Sequence, residues 1–291
     1  MNDKNLQQKR AENFSHWGML VILFFKYFVG FFGNSKGLLA DATASTVNMI
    51  SYFSIVISRK FSSRPADANH PYGHGKIEFV TAVFVNGLSA AGAMAFILFS
   101  LEKMLYAPVS GLPEYTTIAA ALLGVVANEF ICSYLKCVAQ NIPEGKSIPT
   151  SWIKRADSLI AIEVIVGVLI SRLGILESAD SIVAIGIMLV ITLNCGRLFL
   201  EAIGLLMDKS IPKAQLLKIK NGIKEFLPAN SLFELKNVTA CAAGRSIFVK
   251  VAIKANENET AENFCAIANT IREKILELNP LISSVDVECC L

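Results

Sequence analysis

Charge is scarce in this 291-residue chain: Asp, Glu, Lys and Arg together make up 18% of it, with a formal net charge of only +3 and a pI near 8.4. So weak a balance, with the basic residues scattered, excludes the electrostatic footprint of a nucleic-acid-binding protein. Histidine is scarcer still: there are three, and none follows His74. Of the seven cysteines, Cys132, Cys137 and Cys195 lie in apolar stretches and Cys241, Cys265, Cys289 and Cys290 in the polar last third. Their spacing gives neither a disulfide framework nor a CxxC pair, which excludes a disulfide-stapled domain and a zinc ribbon and reads as reduced, mostly buried thiols facing a cytosol. The sequence carries no nucleophile triad, phosphate loop or cofactor fingerprint, so nothing supports an enzyme. No small-residue cleavage site follows the first apolar run, which therefore reads as a retained membrane helix.

What is abundant is apolar sequence, 53% of the chain, with a mean hydropathy of +0.50. That composition argues for the bilayer as solvent and for membrane lipid as the surroundings. A spanning helix needs about 20 mostly apolar residues, and such stretches fall near 14–33, 38–58, 79–101, 115–139, 153–173 and 180–206. Six spans put both termini on one side. Arg59, Lys60, Arg64 and Lys76 lie between the second and third, and Lys146, Lys154 and Arg155 around the connection from the fourth to the fifth. The opposite connections hold only Lys36, Lys103 and Arg172. The positive-inside rule then places the N-terminus, both basic loops and the C-terminal tail in the cytoplasm.

After residue 208 soluble patterning begins. A helix-like stretch from Pro212 to Leu227 precedes strand-like FELKNVTAC and SIFVKVAI, then an amphipathic helix from Glu259 to Leu278 and an alternating SSVDVECC strand. The fold class is thus an α-helical membrane protein: a cytoplasmic segment (1–13), a six-helix transmembrane domain (14–207) and a cytoplasmic αββαβ, ferredoxin-like domain (208–291). A tail of roughly 80 residues is near the lower limit for a single stable core, so a dimer is expected.

The most informative stretch is PADANHPYGHGKIE, residues 65–78, at the cytoplasmic entry to the third span. If that segment is helical, the four-residue spacing of His70 and His74 puts both imidazoles on one face. Asp67 is close enough to add a carboxylate, a donor set that suits zinc, cobalt, nickel, iron or manganese. The bland alternative is a solvated loop whose histidines merely cap the helix.

Together, the six spans, LLADATAS in the second, HPYGHGKIE before the third, RADS in the fifth and the αββαβ tail resemble the cation diffusion facilitators over nearly the whole chain. The resemblance implies a homodimeric exporter of cytoplasmic divalent metal, driven by proton antiport through alternating access, with a metal-responsive tail and the metal as both cargo and regulator. The family's transport site uses two residues four apart on the second span and two on the fifth. Here those positions are Ala44 and Asn48, and Ile153 and Asp157, so one usual ligand, Asp157, is intact. Asp41 lies three residues outward of Ala44, about 4.5 Å of helix rise, on nearly the same face. Asp41, Asn48 and Asp157, with Ser45, would form a shifted, oxygen-rich site, its carboxylates neutralised by a proton, a metal or a cation such as Lys154. Such a site suits manganese or ferrous iron better than zinc. The missing site histidine leaves proton coupling to a carboxylate or weakens it.

Alternatively Asp41 is structural and the chain is a transport-impaired homologue, acting as a partner subunit in a heterodimer with another facilitator, an assembly scaffold or a metal sensor. ANEFICSYLKCVAQN further resembles the facilitators of the magnetosome membrane, which implies either that membrane or a bacterial inner membrane as the location. Lys76 and Asp208, at the cytoplasmic ends of the third and sixth spans, are a candidate salt bridge within or across subunits. Asn86, Asn128, Glu129 and Asn194 are candidates for interhelical hydrogen bonds. In the tail, Cys289 and Cys290 should face opposite ways on their strand, so Glu288 with Cys290, or Cys241 from a neighbouring strand, is the better soft-ligand pair.

Overall fold

A computed structural model describes every residue except 1–2, 107–111, 141–147, 228–232, 245, 256–259, 280 and 291, and all described side chains except those of 3–12, 135–140, 148–156 and 226. The side chains of Ile153, Lys154, Arg155 and Cys137, most of the 140–152 connection and the expected helix start at Glu259 lie outside the described residues.

Six long helices come first: α1 (Asp3–Phe32), α2 (Lys36–Ser62), α3 (Ile77–Tyr106), α4 (Tyr115–Gln140), α5 (Ile148–Arg172) and α6 (Ala179–Leu206). After them come α7 (Lys213–Phe226), β1 (Phe233–Ala243), β2 (Ser246–Ala255), α8 (Ala261–Leu278) and β3 (Ile282–Cys290). Among the described residues four stretches are long and apolar enough to cross a membrane: Asn13–Phe32, Ile77–Tyr106, Tyr115–Tyr134 and Ala179–Leu206. The 27-residue α2 has the length to cross, but Asp41, Thr43, Ser45, Thr46 and Asn48 interrupt its apolar character. The chain divides into two compact units, one of Met1–Phe53 with Val85–Arg197 and the other of Ser54–Phe84 with Leu198–Leu291.

The first unit exposes large apolar side chains and buries several charged ones. Trp17, Phe24, Phe28 and Phe31 of α1 and Leu189 and Leu193 of α6 are exposed, whereas Lys26, Asp41, Ser45, Asp157 and Asp180 are buried. In water this distribution would be unstable; in lipid it is the stable one, because charged side chains must turn from hydrocarbon toward partners. Ala40, Ala44, Ala93, Ala120, Ala121 and Ala184 supply much of the interior. Side chains that small let helix backbones approach closely, which is how helices associate when lipid removes the hydrophobic drive between them. Asn128 is buried, Asn86 and Glu129 are partly exposed, and Asn194 is exposed.

In the second unit the sheet order is β1-β2-β3, with β1–β2 antiparallel and β2–β3 parallel. The strand-period pattern is clearest in β2, where Ile247, Val249, Val251 and Ile253 alternate inward. Against that face lie Ile219 and Ile223 of α7 and Ala268, Ile271 and Ile275 of α8, each set at helical spacing, forming one apolar core. Thr260 caps α8 by accepting from the Asn263 amide at 3.4 Å. The αββαβ element order and the three strands therefore stand as the sequence patterning gave them.

Candidate metal sites

On α2, Asp41, Ser45, Asn48 and Tyr52 fall at i, i+4, i+7 and i+11, a single polar seam along one helix face. Asn48 Nδ2 donates to Asp157 Oδ1 of α5 across 3.0 Å, and Asp157 is 2% exposed. Ala44, one turn before Asn48, is buried and offers no ligand atom. Ile153, the other usual ligand position on α5, is outside the described side chains.

Asp41 is occupied otherwise. Lys26 of α1 places its Nζ 2.8 Å from both Asp41 oxygens, with both side chains 1% exposed, and stands 3.4 Å from Ser45 Oγ. Asp41 Oδ2 meets that ammonium in charge contact only and has no aligned hydrogen bond among the described residues. Asp41 and Asn48 are seven residues apart, about 10.5 Å of rise, so Asn48 and Asp157 form one group and Asp41 with Lys26 another. These residues thus make the contacts Asn48 with Asp157 and Asp41 with Lys26; a shared Asp41–Asn48–Asp157 cluster remains an expectation. The cation beside Asp41 is Lys26; Lys154, the example taken from the sequence, lies outside the described side chains.

Lys26 and His16 were missed by sequence reasoning. For Lys26 a signal existed: one cation centred in VILFFKYFVGFF must find a partner if the run crosses a bilayer. His16 stacks on Tyr52, ring centroids 3.6 Å apart and 25° between planes, one helical turn beyond Asn48. Nothing in the sequence pairs those two rings, because the contact depends on the register of α1 against α2.

The second cluster is Asp67, His70 and His74, whose candidate ligand atoms all lie within 4.8 Å of one another. They are not on a helix. Residues 63–76 form a string of turns, in which the His70 amide donates to the Asp67 carbonyl and the Gly73 amide to the His70 carbonyl. Proline at 71 and glycine at 73, the latter at φ 79°, explain why helical spacing does not become helix. The loop nevertheless brings the groups together. Asp67 Oδ1 is 3.2 Å from His70 Nδ1 and Oδ2 is 3.5 Å from His74 Nε2, with the imidazole centroids 4.3 Å apart. Asp67 Oδ1 also accepts from the His70 and Asn69 amides at 2.7 and 3.0 Å. The His70 backbone amide, foremost, holds the Asp67 carboxyl below the usual carboxylate range, so it is an anion at neutral pH. His74 turns Nε2 toward Asp67, while its Nδ1 is buried without a hydrogen-bond partner among the described residues.

This loop rests on the β1–β2 hairpin. Tyr72 meets Phe248 edge to face at 5.8 Å, and Gly75 and Gly244 approach so closely that a Cβ on Gly244 would lie 2.7 Å from the Gly75 carbonyl oxygen. Lys76 Nζ is 2.9 Å from Asp208 Oδ1 in the same chain.

The tail cysteines are not gathered. β2 separates β1 from β3, and Cys241 pairs in register with Phe248 while Cys290 pairs with Lys254, which sets the two thiols far apart along and across the sheet. Cys241 from a neighbouring strand is thus corrected: its strand does not neighbour β3. Burial, with Asp208 nearby, pushes the Cys241 thiol pKa up, away from the metal-binding thiolate. Glu288 is taken by Lys250 at 2.6 Å.

Residues 14–207 match the family defined by the cation efflux transmembrane domain. The chain belongs to that family, the cation diffusion facilitators, whose members are membrane transporters of divalent metal cations. It is similar to magnetosome protein MamB of Magnetospirillum gryphiswaldense, 28% identical over 264 residues that cover 88% of this chain and 84% of that one. The manganese efflux system protein MneP of Bacillus subtilis is 22% identical over 268 residues, 88% of this chain and 86% of its own. A shorter match, 34% over 119 residues, joins 41% of this chain to 37% of magnetosome protein MamM of Paramagnetospirillum magneticum.

Proposed function

We propose that this protein exports a divalent cation from the cytoplasm in exchange for protons, using a reduced membrane site centred on Asn48 and Asp157. The observation that carries this reading is the Asn48–Asp157 contact, a buried carboxylate and an amide at 3.0 Å between two long helices. An intramembrane carboxylate is costly unless it serves a passing or resident cation, so its burial supports a place on the ion path. Oxygen donors without histidine or thiolate favour manganese or ferrous iron over zinc, and the likeness to a manganese efflux protein points the same way. Asp67, His70 and His74 form a second, cytoplasmic site in this reading, where metal tightens the loop against the tail hairpin and so regulates transport.

The topology that goes with it has all six long helices spanning, including α2 and α5, both termini cytoplasmic, and the αββαβ tail as a ferredoxin-like dimerisation domain of a homodimer. The membrane is a bacterial inner membrane or a magnetosome membrane.

The test is metal uptake into proteoliposomes carrying the purified protein, with manganese, ferrous iron, cobalt and zinc offered against a pH gradient beside Asp157→Ala and Asp67→Ala. Protein-dependent flux that disappears with Asp157→Ala supports a working reduced site and names its ion. Flux at the empty-liposome rate for every ion, while a homologue with all four usual ligands transports, overturns transport and leaves a non-transporting partner subunit.

A further inference from the structure

Lys26 is an unusual presence in the first unit. Most cations near a bilayer extend their heads toward water, but this one is 1% exposed in the middle of the apolar stretch Asn13–Phe32. Its space is built: Gly124 of α4 faces the lysine stem, and a Cβ there would come within 3.3 Å of Lys26 Cε. Asp41 and Ser45 of α2 receive the ammonium from the other side. Three helices thus combine to hold one positive charge at the outer end of the same seam whose next polar residue is Asn48.

We infer that Lys26 is a resident cation that competes with the transported ion, setting the affinity and charge of the membrane site by keeping Asp41 neutralised. This rests on Asn48 and Asp157 being that site. A carboxylate has about four acceptor positions, and among the described residues Asp41 Oδ2 meets the ammonium without an aligned hydrogen bond, so Asp41 is a ligand-competent group held in check. With Lys26 paired to it, the described part of the seam offers an arriving ion one carboxylate, Asp157. Without Lys26 it offers a second, Asp41, whose neutralising proton the ion displaces. Asp157 stands within electrostatic reach of Asp41, so the change is felt at the ion site whether or not Asp41 moves to ligate. Ser45, one turn inward of Asp41 and 3.4 Å from the ammonium, places a neutral oxygen between the two groups.

Removing the charge should therefore strengthen binding, the reverse of what loss of a merely structural ion pair would do. The experiment is equilibrium binding of manganese(II) alone, then zinc(II) alone, to the full-length protein in lipid nanodiscs. Asp67→Ala is present throughout to silence the cytoplasmic cluster. Lys26→Met should tighten manganese binding about tenfold or more, the scale of one charge acting at short range in a dry site. Adding Asp41→Asn to Lys26→Met should abolish that gain. Unchanged or weaker binding in a Lys26→Met protein that elutes and melts like its parent overturns the inference while leaving the Asn48–Asp157 site intact. If Asp157→Asn alters binding in no background, the site itself is wrong and the inference falls with it. Should Lys26→Met fail to fold, Asp41→Asn alone decides: the lysine loses its counter-charge and repels the ion, so affinity drops about tenfold, and an unchanged affinity overturns the inference.

Discussion

Lys76 Nζ lies 2.9 Å from Asp208 Oδ1, and Asp208 makes that bond from a left-handed backbone, φ 57°, just past the end of α6. The two side chains are about half exposed, 46% and 54%, so the ion pair itself contributes no more than about 1 kcal/mol. The backbone is the larger issue, because a Cβ in the left-handed region costs roughly 1–2 kcal/mol, which Asn and Asp offset through short polar side chains. Three variants separate the terms. Asp208→Asn should lower the melting temperature slightly, Asp208→Ala clearly more, and Asp208→Gly should come close to the parent, since it loses the pair but relaxes φ. Equal losses for Ala and Gly in thermal melts of the full-length protein would show that φ at 208 carries no strain.

Gly75 and Gly244 permit the loop of residues 70–76 to touch the hairpin. A Cβ on Gly75 would overlap the Ala243 carbonyl oxygen, and Gly244 sits at φ 65°. Gly75→Ala should therefore destabilise by about 1–3 kcal/mol, the usual cost of overpacking against backbone, and weaken metal binding at Asp67, His70 and His74 by displacing His74. Gly196 of α6 is the control, with nothing within 4 Å of its would-be Cβ; Gly196→Ala should stabilise by about 0.5–1 kcal/mol. Melting and manganese titration of both variants decide this, and intact binding in Gly75→Ala would show that the hairpin does not hold the loop.

Asp67 is held below the ordinary carboxylate range chiefly by the His70 amide. A depressed folded-state pKa stabilises the fold above the unfolded value, near 3.8, and that contribution disappears as pH falls through the lower folded value. Asp67 is fully ionised across the physiological range, so any pH step in metal binding between 5 and 8 arises elsewhere. Asp67→Asn should weaken manganese binding by about tenfold or more at every pH in that range, at least the loss seen for groups one shell further out. The profile should keep its shape. A step that moves with Asp67→Asn in a pH series of titrations would place Asp67 among the titrating groups.

The tail was legible because its rules are local: Ile247, Val249, Val251 and Ile253 alternate, and Ile271 and Ile275 recur at helical spacing. The Asp67–His70–His74 cluster was legible in membership but not in shape, since HPYGHG carries its own helix breakers and reaches the same juxtaposition by turns. The membrane seam was half legible. Asn48 and Asp157 can be paired from family spacing, but Lys26 and His16 depend on how α1 lies against α2, and a register between antiparallel helices leaves no trace in either one alone. The expected Cys241 partnership failed for a similar reason, because strand order is not written in strand sequence.

Asp180 sits in the first turn of α6 yet caps another helix. Its carboxylate accepts from Ser35 Oγ at 2.9 Å and from the Lys36 and Gly37 amides at 2.6 and 3.2 Å, and Ser35 Oγ in turn accepts from the Leu38 amide at 3.1 Å. These amides open α2, where unsatisfied donors and the positive end of the helix dipole both call for an anion. Gly37 is required by the same contact: a Cβ there would lie 2.6 Å from Asp180 Oδ1. Asp180→Ala removes a buried acceptor from three donors at once, so it should destabilise by about 2–4 kcal/mol, more than any tail variant above. Asp180→Asn, which keeps one accepting oxygen, should lose roughly half as much. Because the seam residues Asp41, Ser45 and Asn48 ride on the helix that Asp180 anchors, Asp180→Ala should also weaken manganese binding at the membrane site. Asp180→Ala with parental melting and parental affinity would mean that α2 is held by packing alone.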